Sequence, residues 1–382
     1  MCVCVCAMEG QVLELLELLQ DEKVEVRRGA AKVLAQVSSS EDGERMLASM
    51  SADLLKCLTP LLTQDKDVIL AIYAANILAN VVTQGQHIAD DLHGSIPRLV
   101  MLLSSVSTNE AASQVFGMLV SNCTAVSDLC CKSAEGQLLR LVILACTGKV
   151  AGRWACATVH NLTRVESARA KLLEDGGMRS LLENLMDSWK NDMLSRPIVG
   201  SFRNCCLDTE QHKALASDQG LFKAVKSSLL QIMEEVSKEK VSEGGEESAS
   251  SPVDAVSEGL VQGLALLGFS EEGRNALREA EMTEVLSSPG LPISQATRRK
   301  VDYLVSQLEI PEEGRGGMPI DMDPSLLPEG HGMVMQTADG EFVPVYQNAE
   351  EDGEVSGASS SGIVHEEELG SEQPPKGDED AE

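Results

Sequence analysis

Four asparagines, Asn80, Asn122, Asn161 and Asn204, recur at intervals of 42, 39 and 43 residues. Each falls in the same kind of phrase: AANILAN at 74–80, FGMLVSN at 116–122, ACATVHN at 155–161 and VGSFRNC at 199–205. An amide offers both a donor and an acceptor, so a ladder of amides can grip the backbone of an extended peptide. The same side chain can instead bond backbone within its own repeat, near a helix C-terminus. An asparagine inside a helical stretch is unfavourable unless its amide is satisfied in one of these ways. Arg164 and Arg203 flank the last two phrases, with Lys149, Arg153 and Arg196 close by. Guanidinium forks there would take carboxylates bidentately, either from a partner, from local acids such as Glu166, Asp187 and Asp208, or from the chain's own tail. Trp154 and Phe202 add apolar bulk, as an anchor or as core. Asn80, Asn122, Asn161, Arg164, Arg203 and Asn204 are thus the candidate partner-binding groove.

Residues for bond-making chemistry are harder to find. Thr147-Gly148-Lys149-Val150 lacks the upstream glycine and the hydroxyl residue of a phosphate-binding loop. There is no Gly-x-Ser-x-Gly elbow, and His365-Glu366 has no second histidine to make a zinc helix. His160 and His212 read as packing or capping groups. The pairs Cys130-Cys131 and Cys205-Cys206 sit on helical stretches, where neighbours point about 100° apart, so one thiol of each can be buried while the other faces elsewhere. The alternating Cys2, Cys4 and Cys6 could hold a soft metal or a lipid but have no fourth ligand nearby; a functionless terminus is the plainer reading. The expectation is no enzyme, no metal and no cofactor.

Composition narrows the partners. Sixty acidic against 31 basic side chains leave a net charge of −29, and only 3% of residues are aromatic. Nucleic acid and anionic membranes need clustered Lys and Arg, and single strands need stacking platforms, so neither is expected as a partner. No apolar run approaches eighteen residues, and no basic segment precedes the apolar start, which reads as neither membrane span nor secretory signal. Cysteines inside apolar helical stretches fit a reduced, cytoplasmic protein, expected to be a monomer.

The elements that must position the groove repeat about every forty residues. Leu172 and Leu215 follow their asparagines by eleven residues, and the same landmark carries the pattern outward from Leu47 to Gln36 and from Leu277 to Leu266. Gly94–Leu103 and Gly177–Met186 have apolar residues at i, i+3, i+4 and i+7, with Pro97 tolerable in a first turn. Two or three helices in such a period make an all-α, armadillo or HEAT-like solenoid of about six repeats. We assign 1–10 as a disordered Cys-rich start and 11–310 as the solenoid, with a flexible insertion at 234–253. Residues 311–382 form a disordered acidic tail: nineteen acidic and two basic residues lie there. Within it, Gly332–Gln347 carries Met333, Phe342 and Tyr346 around an Asp339-Gly340 turn signal, and reads as a small hairpin against the core, a linear binding motif, or transient order.

The asparagine phrase followed by Gly94–Leu103 resembles the armadillo repeat, whose equivalent side chains line a concave groove. IVGSFRNCCLDTEQH at 198–212, preceded by HNLTRVESARAKLL at 160–173 and followed by GLVQGLALLGFSEEGRNAL, RRKVDYLVSQL and Gly317-Met318, resembles the Hgh-one homolog family of eukaryotic armadillo-like proteins. The resemblance covers roughly 150–320, and Arg203-Asn204-Cys205-Cys206 is its distinctive part. It implies a non-enzymatic co-chaperone adaptor that assists folding of translation elongation factor 2 with the cytosolic chaperonin and the ninety-kilodalton heat-shock chaperone. The cysteine-rich start and the long acidic tail depart from it. The alternative is an armadillo transport or signalling scaffold that binds an extended peptide in its groove, which calls for more tryptophans than the two present.

Overall fold

Thirteen residues upstream of three of the four asparagines stands a side chain that starts the helix carrying it. In the computed structural model, which describes residues 2–63, 67–242, 252–312, 333–336 and 342–345, Asp67 accepts from the Ile69 amide at 2.9 Å, Asn109 from Ala112 at 3.1 Å and Asn191 from Met193 at 3.2 Å. Each satisfies a first-turn N–H that has no partner within its helix.

The described chain opens with α1 (Cys2–Leu18) and α2 (Val24–Val37). Six helix triplets follow. They are α3 (Glu41–Ser49), α4 (Ser51–Thr63) and α5 (Val68–Val81); α6 (Gln86–Leu92), α7 (Ile96–Ser105) and α8 (Glu110–Val126); α9 (Asp128–Ala134), α10 (Leu138–Ala145) and α11 (Val150–Leu162). The remaining three are α12 (Glu166–Glu174), α13 (Gly177–Ser188) and α14 (Asp192–Leu207); α15 (His212–Ser217), α16 (Gln219–Ser242) and α17 (Pro252–Leu267); α18 (Glu271–Glu279), α19 (Met282–Leu286) and α20 (Gln295–Glu309). The expected α-solenoid of about six units is what forms.

The third helices stack in chain order, α2 on α5, then α8, α11, α14, α17 and α20. Glycine sets how close they come. A Cβ on Gly117 of α8 would lie 2.3 Å from the Trp154 side chain of α11, and one on Gly263 of α17 would lie 2.6 Å from the Phe202 ring of α14. Trp154 and Phe202 are therefore core, 1% and 0% exposed, and the Trp154 indole N–H donates to Gln114 Oε1 at 3.1 Å. One apolar core runs through the repeats from Val12 to Leu308.

Arginines tie one repeat to the next at a near-constant interval. Arg28 pairs with Asp67 at 2.8 Å, Arg169 with Asp208 at 2.7 Å and Arg274 with Glu312 at 2.7 Å. Arg169 also donates to the Thr163 and Arg164 carbonyls, and Arg274 to those of Gly268 and Phe269, so each guanidinium caps the end of the preceding third helix.

Three boundaries differ from those expected. Helix α1 begins at Cys2, where a disordered 1–10 was assigned, because good helix formers in 7–18 let the helix propagate back. Helix α16 continues to Ser242, so most of the expected insertion at 234–253 is helical and only 243–251 lies outside the described residues. The contacts of the solenoid reach past 310 to Glu312, whose carboxylate Arg274 and Arg278 hold. Of the rest of the tail, β1 (Met333–Gln336) and β2 (Phe342–Val345) are described. They pair antiparallel, with Met333 opposite Val345 and Gln336 opposite Phe342. Strand β1 lies along α8 and α11. Tyr346 is outside the described residues, as are the side chains of Met333 and Phe342. Residues 347–382 are also outside them.

Candidate protein-binding groove

Counting back from each asparagine by four and eight residues traces one stripe along each third helix. It comprises Ile72, Asn76 and Asn80 on α5; Gln114, Met118 and Asn122 on α8; Arg153, Ala157 and Asn161 on α11; and Arg196, Gly200 and Asn204 on α14. The stripe is exposed or half-buried along α5 and α14, whereas Asn122, Ala157 and Asn161 are 2%, 0% and 0% exposed.

The asparagine amides are used between repeats. Asn122 Nδ2 donates to the Ala79 carbonyl and Asn161 Nδ2 to the Ser121 carbonyl, both at 3.0 Å; the accepting residue directly precedes the asparagine of the repeat before. Asn80 and Asn204 reach the turn just beyond, at the Ser38 carbonyl (3.0 Å) and Thr163 Oγ1 (2.9 Å). Neither alternative weighed for these residues, a peptide ligand or a bond inside the repeat, describes this geometry. The free carbonyls at the end of one helix are taken by the next repeat. Oδ1 of Asn122 and of Asn161 is buried with no hydrogen-bond partner.

The two arginines part company. Arg164, 12% exposed, gives Nη1 to the Ala125 carbonyl at 2.9 Å, Nη2 to the Thr124 carbonyl at 2.7 Å and Nε to the Asn161 carbonyl at 3.2 Å, and meets Asp128 at 3.3 Å. Its two η nitrogens are committed to the repeat before. Arg203, half-buried, has Nε buried without a partner, and burial pushes its ordinarily very high pKa down. Arg153 Nε is likewise buried without a partner, and Arg196 pairs with Asp192 one turn earlier at 3.0 Å. Arg164 and Asn204 do share a polar cleft, lined also by Arg169, Asp208 and Thr209. Arg169 and Asp208 were not singled out from sequence as a pair; their 39-residue separation, repeated by Arg28 and Asp67, was the available signal.

The adjacent thiol pairs look inward. Both members of Cys130-Cys131 and of Cys205-Cys206 are buried, because an apolar arc wider than 100° accommodates adjacent positions. Cys130 Sγ faces the Ala89 carbonyl at 3.0 Å and Cys131 Sγ that of Thr124 at 3.1 Å. Burial pushes Cys205 up to about 12 and raises Cys206, Cys131 and Cys156, which disfavours the nucleophilic thiolate. His212 is a cap: one ring nitrogen lies 2.7 Å from the Cys206 carbonyl. Among the described residues no cluster of three or more metal-ligating side chains occurs, and no helix is long and apolar enough to cross a membrane.

These repeats have counterparts. A crystal structure of computationally designed armadillo repeat proteins for modular peptide recognition is similar with a TM-score of 0.51, 19% identity, 65% of this chain and 98% of that one. An engineered protein solved by structural genomics gives 0.50, 20% identity, and 77% and 78% coverage. No protein-family model matches. By sequence, the chain is 25% identical over 226 residues to Protein HGH1 homolog of Dictyostelium discoideum. This is an armadillo-like solenoid similar to the HGH1 homolog family. The match spans 55% of this chain and 62% of that HGH1 homolog, so the two are alike over part of each. The HGH1-like chain carries an armadillo-like repeat scaffold.

Proposed function

We propose that the chain is a non-enzymatic protein-binding scaffold and that the open stripe of its third helices receives a segment of a protein client. One observation carries this reading. Equivalent positions of successive helices, Ile72 and Asn76 on α5, Gln114 and Met118 on α8, and Arg196 and Gly200 on α14, stay accessible. Repeating such positions presents a surface along successive helices suited to an extended segment. Arg203, half-buried with Nε unpartnered, supplies positive charge for a client carboxylate. The resemblance to the HGH1 homologs supports translation elongation factor 2 as that client, with the cytosolic chaperonin and the ninety-kilodalton heat-shock chaperone as fellow partners and the cytoplasm as the place of work.

The test is capture from cell extract on the full chain, with and without cross-linking, beside the variants Arg203→Ala and Met118→Glu. Recovery of the elongation factor with chaperonin subunits, reduced by both variants at unchanged melting temperature, is expected. Karyopherins or cytoskeletal proteins in their place would favour a transport or signalling scaffold, and undiminished capture by both variants would move the client off the stripe.

A further inference from the structure

The stripe is accessible along α5 and α14 and at Gln114 and Met118 of α8, and it closes at Asn122 of α8 and at Ala157 and Asn161 of α11. Ala157 of α11 is 0% exposed, while its counterparts Asn76, Met118 and Gly200 are all half-buried; Asn122 and Asn161 are shut away where Asn80 and Asn204 are not. The closure falls on α8 and α11, the two helices along which β1 runs. An isolated two-stranded hairpin is marginal in water and needs a platform. We propose that the α8–α11 stripe is a strand-binding surface and that the chain's own hairpin, Met333–Gln336 paired with Phe342–Val345, is its resident occupant, which a client must displace.

Chain length and charge suit such an occupant. Glu312 is held by Arg274 at 2.7 Å, and twenty residues separate it from Met333. Their contour of up to about 70 Å lets the segment leave and return while tethered. Tethering by a short linker sets an effective concentration in the millimolar range, so a segment of modest intrinsic affinity still fills its site. Gly332–Gln347 contains Asp339 and Glu341 and no basic side chain, whereas α11 and α14 offer Arg153 and Arg203, each with Nε buried and unpartnered. A client that takes the same surface would share this chemistry: an apolar strand with carboxylates beside it. Only the displacement clause rests on the scaffold reading above.

The experiment replaces 333–345 in the full chain by a Gly/Ser run of equal length and measures binding of a fluorescent peptide spanning Gly332–Gln347. The replaced protein should bind the peptide about tenfold more tightly than the native chain, or better, because the native site is already filled. A peptide that binds neither protein, or both alike, overturns the proposal. A second measurement does not depend on the replacement folding. Photo-reactive benzoylphenylalanine is placed at position 334 or 335 of the native chain; successive strand residues face opposite sides, so one of the two faces the helices. Intramolecular cross-links to peptides of α8 or α11 are expected, and cross-links confined to other helices or to other molecules overturn it. If the peptide result holds but neither protein binds the client, the scaffold reading fails and the resident hairpin stands. A client bound equally by both proteins removes the displacement clause.

Discussion

Asn161 of one repeat donates its amide to the Ser121 carbonyl of the repeat before it, 3.0 Å away, from a position with no exposed surface. The residue that looked most like a peptide ligand is an inter-repeat bond. Its second contact, to Thr124 Oγ1 at 3.3 Å, falls on the same helix α8. Replacing Asn161 by Ala should cost about 1–3 kcal/mol, the range for leaving buried polar groups unpaired. Urea unfolding at constant m-value checks this; an unchanged midpoint would mean that the carbonyls find other donors.

Arg164 and Arg203 should separate cleanly. Arg164→Ala removes charge-assisted bonds to the Thr124 and Ala125 carbonyls and should lower stability by about 1.5–3 kcal/mol. Lysine should not restore it, because an ammonium cannot span two carbonyls as the planar fork does. Arg203→Ala removes no side-chain hydrogen bond and should leave the melting temperature close to that of the native chain while weakening client capture. Thermal melts of the three variants beside a binding assay decide it.

Glu312 should close the solenoid. Its carboxylate takes Arg274 Nε at 2.8 Å and Nη2 at 2.7 Å, with Arg278 Nη2 at 2.9 Å, and Arg274 is 5% exposed. Truncation after Ile310 strands a buried charge and should cost about 3 kcal/mol, whereas truncation after residue 320 should not. Matched denaturation curves of the two truncations are the measurement; equal curves would reduce the pair to a surface contact.

His212 should make stability fall in mild acid. Burial lowers its pKa, with the Cys206 carbonyl and the Asp208 and Glu272 carboxylates pulling it back up in part. Its other ring nitrogen, Nδ1, is buried and unpartnered, so the second proton would place a charge where nothing receives it. A depressed folded value means that the unfolded chain binds the proton first. The stabilisation is complete above the ordinary histidine value of about 6.5 and is lost as pH falls through the lower folded value. Melting temperatures from pH 7.5 to 5 should decline for the native chain and decline less for His212→Gln; parallel slopes would assign the acid loss to other groups.

Much of this protein was legible in one dimension. The intervals between Asn80, Asn122, Asn161 and Asn204 marked the repeat, and the apolar periodicity of Gly94–Leu103 and Gly177–Met186 marked helices. Both are local signals: a 3.6-residue period states which face of a helix is buried, and a forty-residue period states that each unit packs on a copy of itself. The arginine staples left a signal that the sequence reading missed, the 39- and 38-residue separations of Arg28 from Asp67, Arg169 from Asp208 and Arg274 from Glu312. What tertiary structure alone decided was direction and occupancy. An amide's donors are identical whether aimed at a ligand or at a neighbouring carbonyl, and only stacking the third helices put Ala79 and Ser121 within reach of Asn122 and Asn161. Arg164 and Arg203 are alike in type and setting along the chain, yet one lies over the free carbonyls of α8 and the other lacks such acceptors. The approach of β1 to α8 and α11 joins residues about two hundred positions apart. No period encodes such a contact, because it depends on which surface remains uncovered once all the repeats have packed.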